Sequence, residues 1–170
     1  MARRTGLREF QLSVAERIRT AATRAALSSR LGFQVGADNW FVPLHQVNEV
    51  IPTPPILPVP LTHSWFRGVA NVRGNLYSII DFSAFAGAEP VAPGPERRVI
   101  LVSDRLVAGS GLLVSRMLGL RNPEQFTAAA RPADAPAWVA GAYTDAGGTR
   151  WLELDLPALV REQRFLEVGA

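Results

Sequence analysis

The chain has 170 residues, 48% of them apolar and 19% charged, enough for a real core and far from the composition of disorder. Its net charge is +3, all 18 basic residues are Arg, and an isoelectric point near 10.5 raises polyanions as first-guess partners. The lack of Cys excludes disulfides, thiolate nucleophiles and cysteine-ligated metals, and His45 and His63 stand outside any ligand spacing, so no metal or other cofactor is expected.

Residues 1–31 hold seven Arg and two Glu, a balance of +5, whereas the remaining residues hold eleven Arg against thirteen carboxylates, a balance of −2. The basic excess therefore belongs to a leader. Ser13-Val14-Ala15-Glu16 fits a capping box, and Val14, Ile18, Ala21/Ala22 and Ala25 recur at helical spacing, which predicts a helical extension over 1–30. Its stripe is narrow and mostly Ala, so the helix is expected to dock on its own domain or fray; a lipid or nucleic-acid arm is the alternative. No apolar h-region follows Arg3, Arg4 and Arg8, and the longest apolar stretch, Val99 to Val114, is broken by Asp104-Arg105 and glycines. A soluble, cytoplasmic protein without membrane insertion is the expectation.

From residue 31 the period becomes alternating. Leu31, Phe33 and Val35 face one way, Gly36 to Asn39 turn, and Trp40 to Leu44 return. Pro52, Pro54, Pro55, Pro58 and Pro60 then forbid helix and central strand and predict an extended surface loop. Trp65 to Gly74 leads into a strand over Asn75 to Phe82, and Ala88 to Glu96 reads as a linker. Val99 to Ser103 and Leu106 to Val114 are further strands, and Asn122 to Pro136 is loop-like.

Residues 65–85 (WFRGVANVRGNLYSIIDFSAF) parallel residues 138–159 (WVAGAYTDAGGTRWLELDLPAL). In each, a Trp precedes a Gly by three, a turn and strand follow, and the strand ends in Asp plus an apolar residue. Such similarity implies two copies of one supersecondary unit, at about 31–87 and 97–160, each expected to form a small closed barrel. A helix over about 156–166 completes a domain spanning 31–168. The first copy turns with Asn71-Val72-Arg73-Gly74 and the second with Asp145-Ala146-Gly147-Gly148. Since the second manages without Arg, Arg73 is either half of an ion pair or a contact for a partner.

Trp65 and Trp138 are expected in the barrel cores, Asp81 and Asp155 as caps of short helices, and Glu153 with Asp155 on a solvated strand edge. Gly68 and Gly74 serve turn dihedrals or close packing. No nucleophile–base pair or phosphate loop is present, and Gly109-Ser110-Gly111 is not a nucleophile elbow, so no enzyme is expected.

The stretches FVPLHQVNEVI (41–51), WFRGVANVRGNLYSIIDF (65–82), VILVSDRLVAGSGLLV (99–114) and WVAGAYTDAGGTRWLELDLPALV (138–160) resemble the CheW-like coupling proteins of bacterial chemosensory arrays. The extension and the Asn-Val-Arg-Gly variant are most similar to the PilI-type branch, which serves type IV pilus (twitching motility) systems. The resemblance implies an all-β fold of two five-stranded SH3-like barrels related by a pseudo-twofold, with a groove between them. It implies a non-enzymatic adaptor joining the cytoplasmic tip of a methyl-accepting chemoreceptor to a CheA-type histidine kinase, with other CheW-like proteins as further array partners; flagellar chemotaxis is the alternative output. It assigns Glu49 and Arg73 to an acidic and a basic position beside the receptor groove, and Val47, Gly68, Asn71, Val72 and Gly74 to positions around that surface. Ser115 departs from the family pattern, which often has Asp there. The reading from another class, a small-barrel nucleic-acid binder, needs a basic groove on a body that is slightly acidic.

Overall fold

The computed structural model describes residues 14, 16, 17, 19, 20 and 29–170. The five leader residues are helical and exposed, and the Thr20 hydroxyl donates to the Glu16 carbonyl at 2.8 Å. Ser13 of the expected capping box, the Ala stripe and any docking of the extension lie outside the described residues.

Eleven strands are described, β1 (Arg30–Val35), β2 (Asp38–Pro43), β3 (Val47–Pro52), β4 (Phe66–Val72), β5 (Asn75–Asp81), β6 (Arg98–Val102), β7 (Ser110–Val114), β8 (Arg116–Arg121), β9 (Phe126–Ala129), β10 (Val139–Asp145) and β11 (Arg150–Leu154). Three four-residue helices accompany them, α1 (Phe82–Phe85), α2 (Leu156–Leu159) and α3 (Gln163–Leu166). The strands form a five-stranded sheet ordered β3-β6-β7-β5-β4 and a six-stranded sheet ordered β8-β1-β2-β11-β10-β9.

The duplication is visible in the pairing. β5 enters α1 and runs parallel to β7, just as β11 enters α2 and runs parallel to β2. Each short helix is capped as expected: Asp81 accepts from the Ala84 N–H at 3.1 Å and Asp155 from the Ala158 N–H at 3.0 Å. The Asp81 N–H donates to the Trp65 carbonyl and the Asp155 N–H to the Trp138 carbonyl, so the Trp-to-Asp spacing of the sequence is one hydrogen-bonded device used twice.

The expected division of the strands at the linker does not hold. β1 and β2 join the second sheet, and β6 and β7 the first, so the units are interlaced along the chain. Residues 160–170 hold no strand, and the amino-terminal β1–β2 hairpin fills beside β11 the place that β6–β7 fills beside β5. Nor does either sheet close: among the described residues no ladder joins β3 to β4 or β8 to β9. The unequal strand number has a local cause. β9 makes four register pairs with β10, whereas in the first unit Leu57 makes a single bridge to Val69, flanked by Pro55 and Pro58, which have no N–H to extend a ladder.

The main core lies between the sheets, where Trp40, Trp65, Phe82, Phe85 and Trp138 pack edge-on and stacked with Ile100, Leu112, Leu154 and Leu156. Trp65 and Trp138, expected inside the barrels, therefore sit with Trp40 between the units. β6 and β7 are buried on both faces: Ile100, Leu112 and Val114 face the intersheet core, while Val99, Leu101 and Leu113 fill the first unit with Ile51, Tyr77 and Ile79.

The second unit is filled differently. Phe41, Phe126, Tyr143 and Trp151 form an aromatic cluster, with the Arg121 guanidinium 5.1 Å over the Trp151 ring. Glu153 is buried, accepting from Arg30 Nε and from the Tyr143 hydroxyl, both at 2.9 Å. The solvated edge expected for Glu153 is thus corrected: it opposes Gly141 in register as Ile79 opposes Gly68, an interior position, and its Arg30 partner lies 123 residues away. Burial, then the bond to Glu153, raises the Tyr143 phenol above its ordinary pKa.

The expected helix over 156–166 is two helices. Residues 160–162 tighten through the Arg161 N–H to Ala158 and Glu162 N–H to Leu159 bonds, and the chain restarts at an extended Glu162. That reset seats Phe165 against Phe85 and lays Arg164 over the same ring, 4.4 Å from its centroid.

Candidate partner-binding site

β3 and β4 are the two ends of the five-stranded sheet, yet Glu49 on β3 meets Arg73 at the end of β4. Arg73 Nη1 donates to Glu49 Oε2 at 2.7 Å and Nη2 to Oε1 at 2.6 Å, a bidentate pair that clasps the ends of a curled sheet. A bulge between Val47 and Glu49 interrupts the ladder to β6, and the neighbouring Asn48 amide donates to Asp104 at 3.2 Å.

The β4–β5 connection has two residues, Arg73 at φ +52° and Gly74 at φ +87°. Two consecutive positive φ values describe the type I′ hairpin turn, whose preferred first residues are Asn, Asp and Gly. Arg at that position is locally costly. The cost is met partly by the Asn71 side chain, which accepts from the Gly74 N–H at 2.9 Å. The matching β10–β11 turn is longer: Asp145 accepts from the Gly147 and Thr149 N–H groups and from the Trp151 indole.

The Arg73 side chain is 73% exposed and that of Glu49 38%. An ion pair so open to water is screened and contributes little stability. The hydrogen bonds and charge of Glu49 raise the Arg73 pKa above its ordinary value, so the cation is permanent. Glu49 engages two of its five N–H donors, and the other three have no acceptor among the described residues.

Of the residues singled out from the sequence, the structure brings Glu49, Asn71, Arg73 and Gly74 together at this turn. Val72 turns inward against the first-unit core, and Val47 packs against the intersheet core. Gly68 is buried at φ +126°, where an added Cβ would lie 2.0 Å from the Leu57 carbonyl oxygen. Its absent side chain lets the Pro-rich loop seat on β4. Sequence reasoning missed Leu76, 65% exposed next to the turn. Its signal was the strand period: Tyr77 and Ile79 point inward, so Leu76 must face out. Ser115, the departure from the family pattern, accepts from the Gly36 N–H at 3.3 Å and so tethers the β1–β2 turn.

The described residues hold no group of side chains able to ligate a metal, and no helix among them is long and apolar enough to cross a membrane. The family model of the CheW-like domain matches residues 30–164. Protein PilI of Pseudomonas aeruginosa is 31% identical over 145 residues, 83% of this chain and 80% of that protein. Chemotaxis protein CheW of Rhizobium meliloti is 34% identical over 84 residues, 49% of this chain and 54% of that protein. In fold the chain is similar to the scaffolding protein TtCheW from Thermoanaerobacter tengcongensis, with a TM-score of 0.65 at 18% identity over 81% of this chain and 94% of that one.

Proposed function

The chain belongs to the CheW-like family, and from that premise we propose that it is a non-enzymatic adaptor coupling a methyl-accepting chemoreceptor to a CheA-type histidine kinase, with type IV pilus motility as the output. The observation that carries the reading is Arg73. It occupies a left-handed turn position that favours other residues, its counterpart turn does without Arg, and its guanidinium is presented outward by a bidentate carboxylate. Permanent charge, fixed orientation and donors to spare suit recognition of acceptors on a partner surface. The exposed Leu76 nearby adds apolar contact.

The pilus output is supported by likeness to Protein PilI across most of the chain, against half the chain for the Rhizobium chemotaxis relative. A nucleic-acid role is less well supported, because residues 32–170 carry more carboxylates than guanidinium groups.

Co-purification tests the proposal. A methyl-accepting receptor and a CheA-type kinase recovered together with this chain are the expected result, and a kinase carrying many phosphotransfer domains supports the pilus output. Recovery of neither partner under conditions that keep receptor and kinase intact would refute it.

A further inference from the structure

A cleft of about 480 Å³ opens beside the Pro-rich loop of the first unit, away from the residues that define the Arg73 turn. Pro54, Pro55 and Pro58 line its wall, and the buried Phe66 and Leu113 its base. Arg67, exposed on β4, and Arg97, half-buried just before β6, complete the lining with Ser64 and the half-buried Ile56. Among the described residues no carboxylate lines the cleft, and neither guanidinium is engaged by a hydrogen bond or ion pair. The duplicated unit again acts as a control: Gly141 corresponds to Gly68, so Arg67 falls where the second unit has Ala140. The strand does not need an Arg there to fold.

We propose that this cleft binds a short acidic peptide segment of a partner protein, one that sets an apolar side chain against Ile56 and the exposed edge of Phe66 and carboxylates on Arg67 and Arg97. The chemistry follows from what the cleft offers. Its proline nitrogens carry no hydrogen, and the N–H of Leu57 is already bonded to Val69, so backbone donors for strand addition are scarce. The remaining strong donors are guanidinium groups, which prefer carboxylates in bidentate geometry. The volume lies in the range of clefts that enclose small ligands or a few side chains, and the prolines make the wall rigid, which lowers the entropy lost on binding.

The chain's own ends fit poorly as occupants. Residues 1–31 carry seven Arg and two Glu, the same sign as the cleft. The carboxyl end is held elsewhere: the Ala170 N–H donates to the Leu61 carbonyl and the His63 N–H to the Val168 carbonyl, both at 3.0 Å.

Fluorescence anisotropy of the full chain with a labelled peptide Asp-Glu-Leu-Phe-Glu-Asp tests the proposal against its amide isostere Asn-Gln-Leu-Phe-Gln-Asn. The acidic peptide is expected to bind saturably, roughly tenfold or more tightly than the isostere, and to lose that advantage in the Arg67→Ser/Arg97→Ser double variant. Equal affinity for both peptides, undiminished binding by the double variant, or no saturable binding up to about 1 mM would overturn it. Tighter binding of a single-stranded oligonucleotide of equal charge would overturn it in favour of nucleic acid. Should the double variant fail to fold, NMR of the unmodified chain decides: the acidic peptide must shift Ser64, Arg67 and Leu113, and shifts confined to other surfaces count against the cleft. Failure here leaves the coupling proposal intact, because that proposal rests on Arg73 and Glu49.

Discussion

Replacing Gly68 by Ala perturbs one point on which the seating of the Pro-rich loop depends. The backbone there stands at φ +126°, and the added Cβ would meet the Leu57 carbonyl oxygen at 2.0 Å and its carbon at 2.7 Å. Backbone atoms cannot swing aside as a side-chain end can, so the loop must lift. Lifting it breaks the reciprocal bonds from Leu57 N–H to Val69 and from Val69 N–H to Leu57, now 2.8 and 2.9 Å. The positive φ costs a non-glycine residue about 1–3 kcal/mol, and two lost hydrogen bonds add about 1 kcal/mol each. Gly68→Ala is therefore expected to destabilise by about 3–5 kcal/mol. Gly141→Ala is the matched control: that glycine's φ is not positive, and the atoms nearest its Cβ would be side-chain atoms of Tyr143, from 3.1 Å. The ring need give by only a few tenths of an ångström while keeping its bond to Glu153, so a smaller loss of about 1–2 kcal/mol is expected. Urea unfolding followed by tryptophan fluorescence and circular dichroism, with coincident transitions, supplies both values. Equal losses at the two sites, or a loss below about 1 kcal/mol at Gly68, would refute the reasoning.

The two capping aspartates should also differ. Asp81 additionally accepts from the buried Val91 N–H at 3.0 Å, so Asp81→Ala is expected to cost about 2–4 kcal/mol and Asp155→Ala about 1, read from the same unfolding curves; equal costs would contradict it. Glu153→Ala removes the acceptor shared by Arg30 and Tyr143 inside the second unit and is expected to cost about 3 kcal/mol, with a fall in the apparent pKa of Tyr143 by ultraviolet titration; an unchanged phenol titration would contradict the contact. The Asp145 carboxyl is held below the usual carboxylate range, first by the Trp151 indole and then by the Thr149 and Gly147 N–H groups. A lowered folded pKa gives stabilisation that is complete above the unfolded value of about 3.9 and is lost as pH falls through the folded one. The NMR signal of the Trp151 indole N–H should therefore hold its position down to about pH 4 and move only below it; movement centred above that pH would contradict the assignment.

What could be read from the sequence was local or repeated. The Trp–Gly–Asp spacing marks a strand, a hairpin and a capped turn of helix, all built from neighbouring residues, and its recurrence exposed the duplication. Sheet membership was not legible, because β1–β2 and β6–β7 are equivalent hairpins and either pair satisfies the same alternating pattern. Only three-dimensional pairing decides that the amino-terminal hairpin completes the distant unit. Glu153 was misplaced for a related reason: its alternation is the same for an inward or outward face, and the cation that makes burial tolerable, Arg30, stands at the other end of the chain. At the candidate site, comparison of the two turns was enough to isolate Arg73. The comparison could not show that Val72 and Val47 point into cores, since a β-branched residue at a strand end suits a core as well as an interface.

The central claim is that Arg73 serves recognition and not folding. The direct measurement is the affinity of a purified cytoplasmic receptor fragment for the unmodified chain and for Arg73→Ala, each paired with its thermal transition. Affinity is expected to fall roughly tenfold or more while the transition moves by no more than a few degrees, since the exposed ion pair adds little to stability. Undiminished receptor affinity, or a loss of binding that merely follows a collapse of the thermal transition, would contradict it.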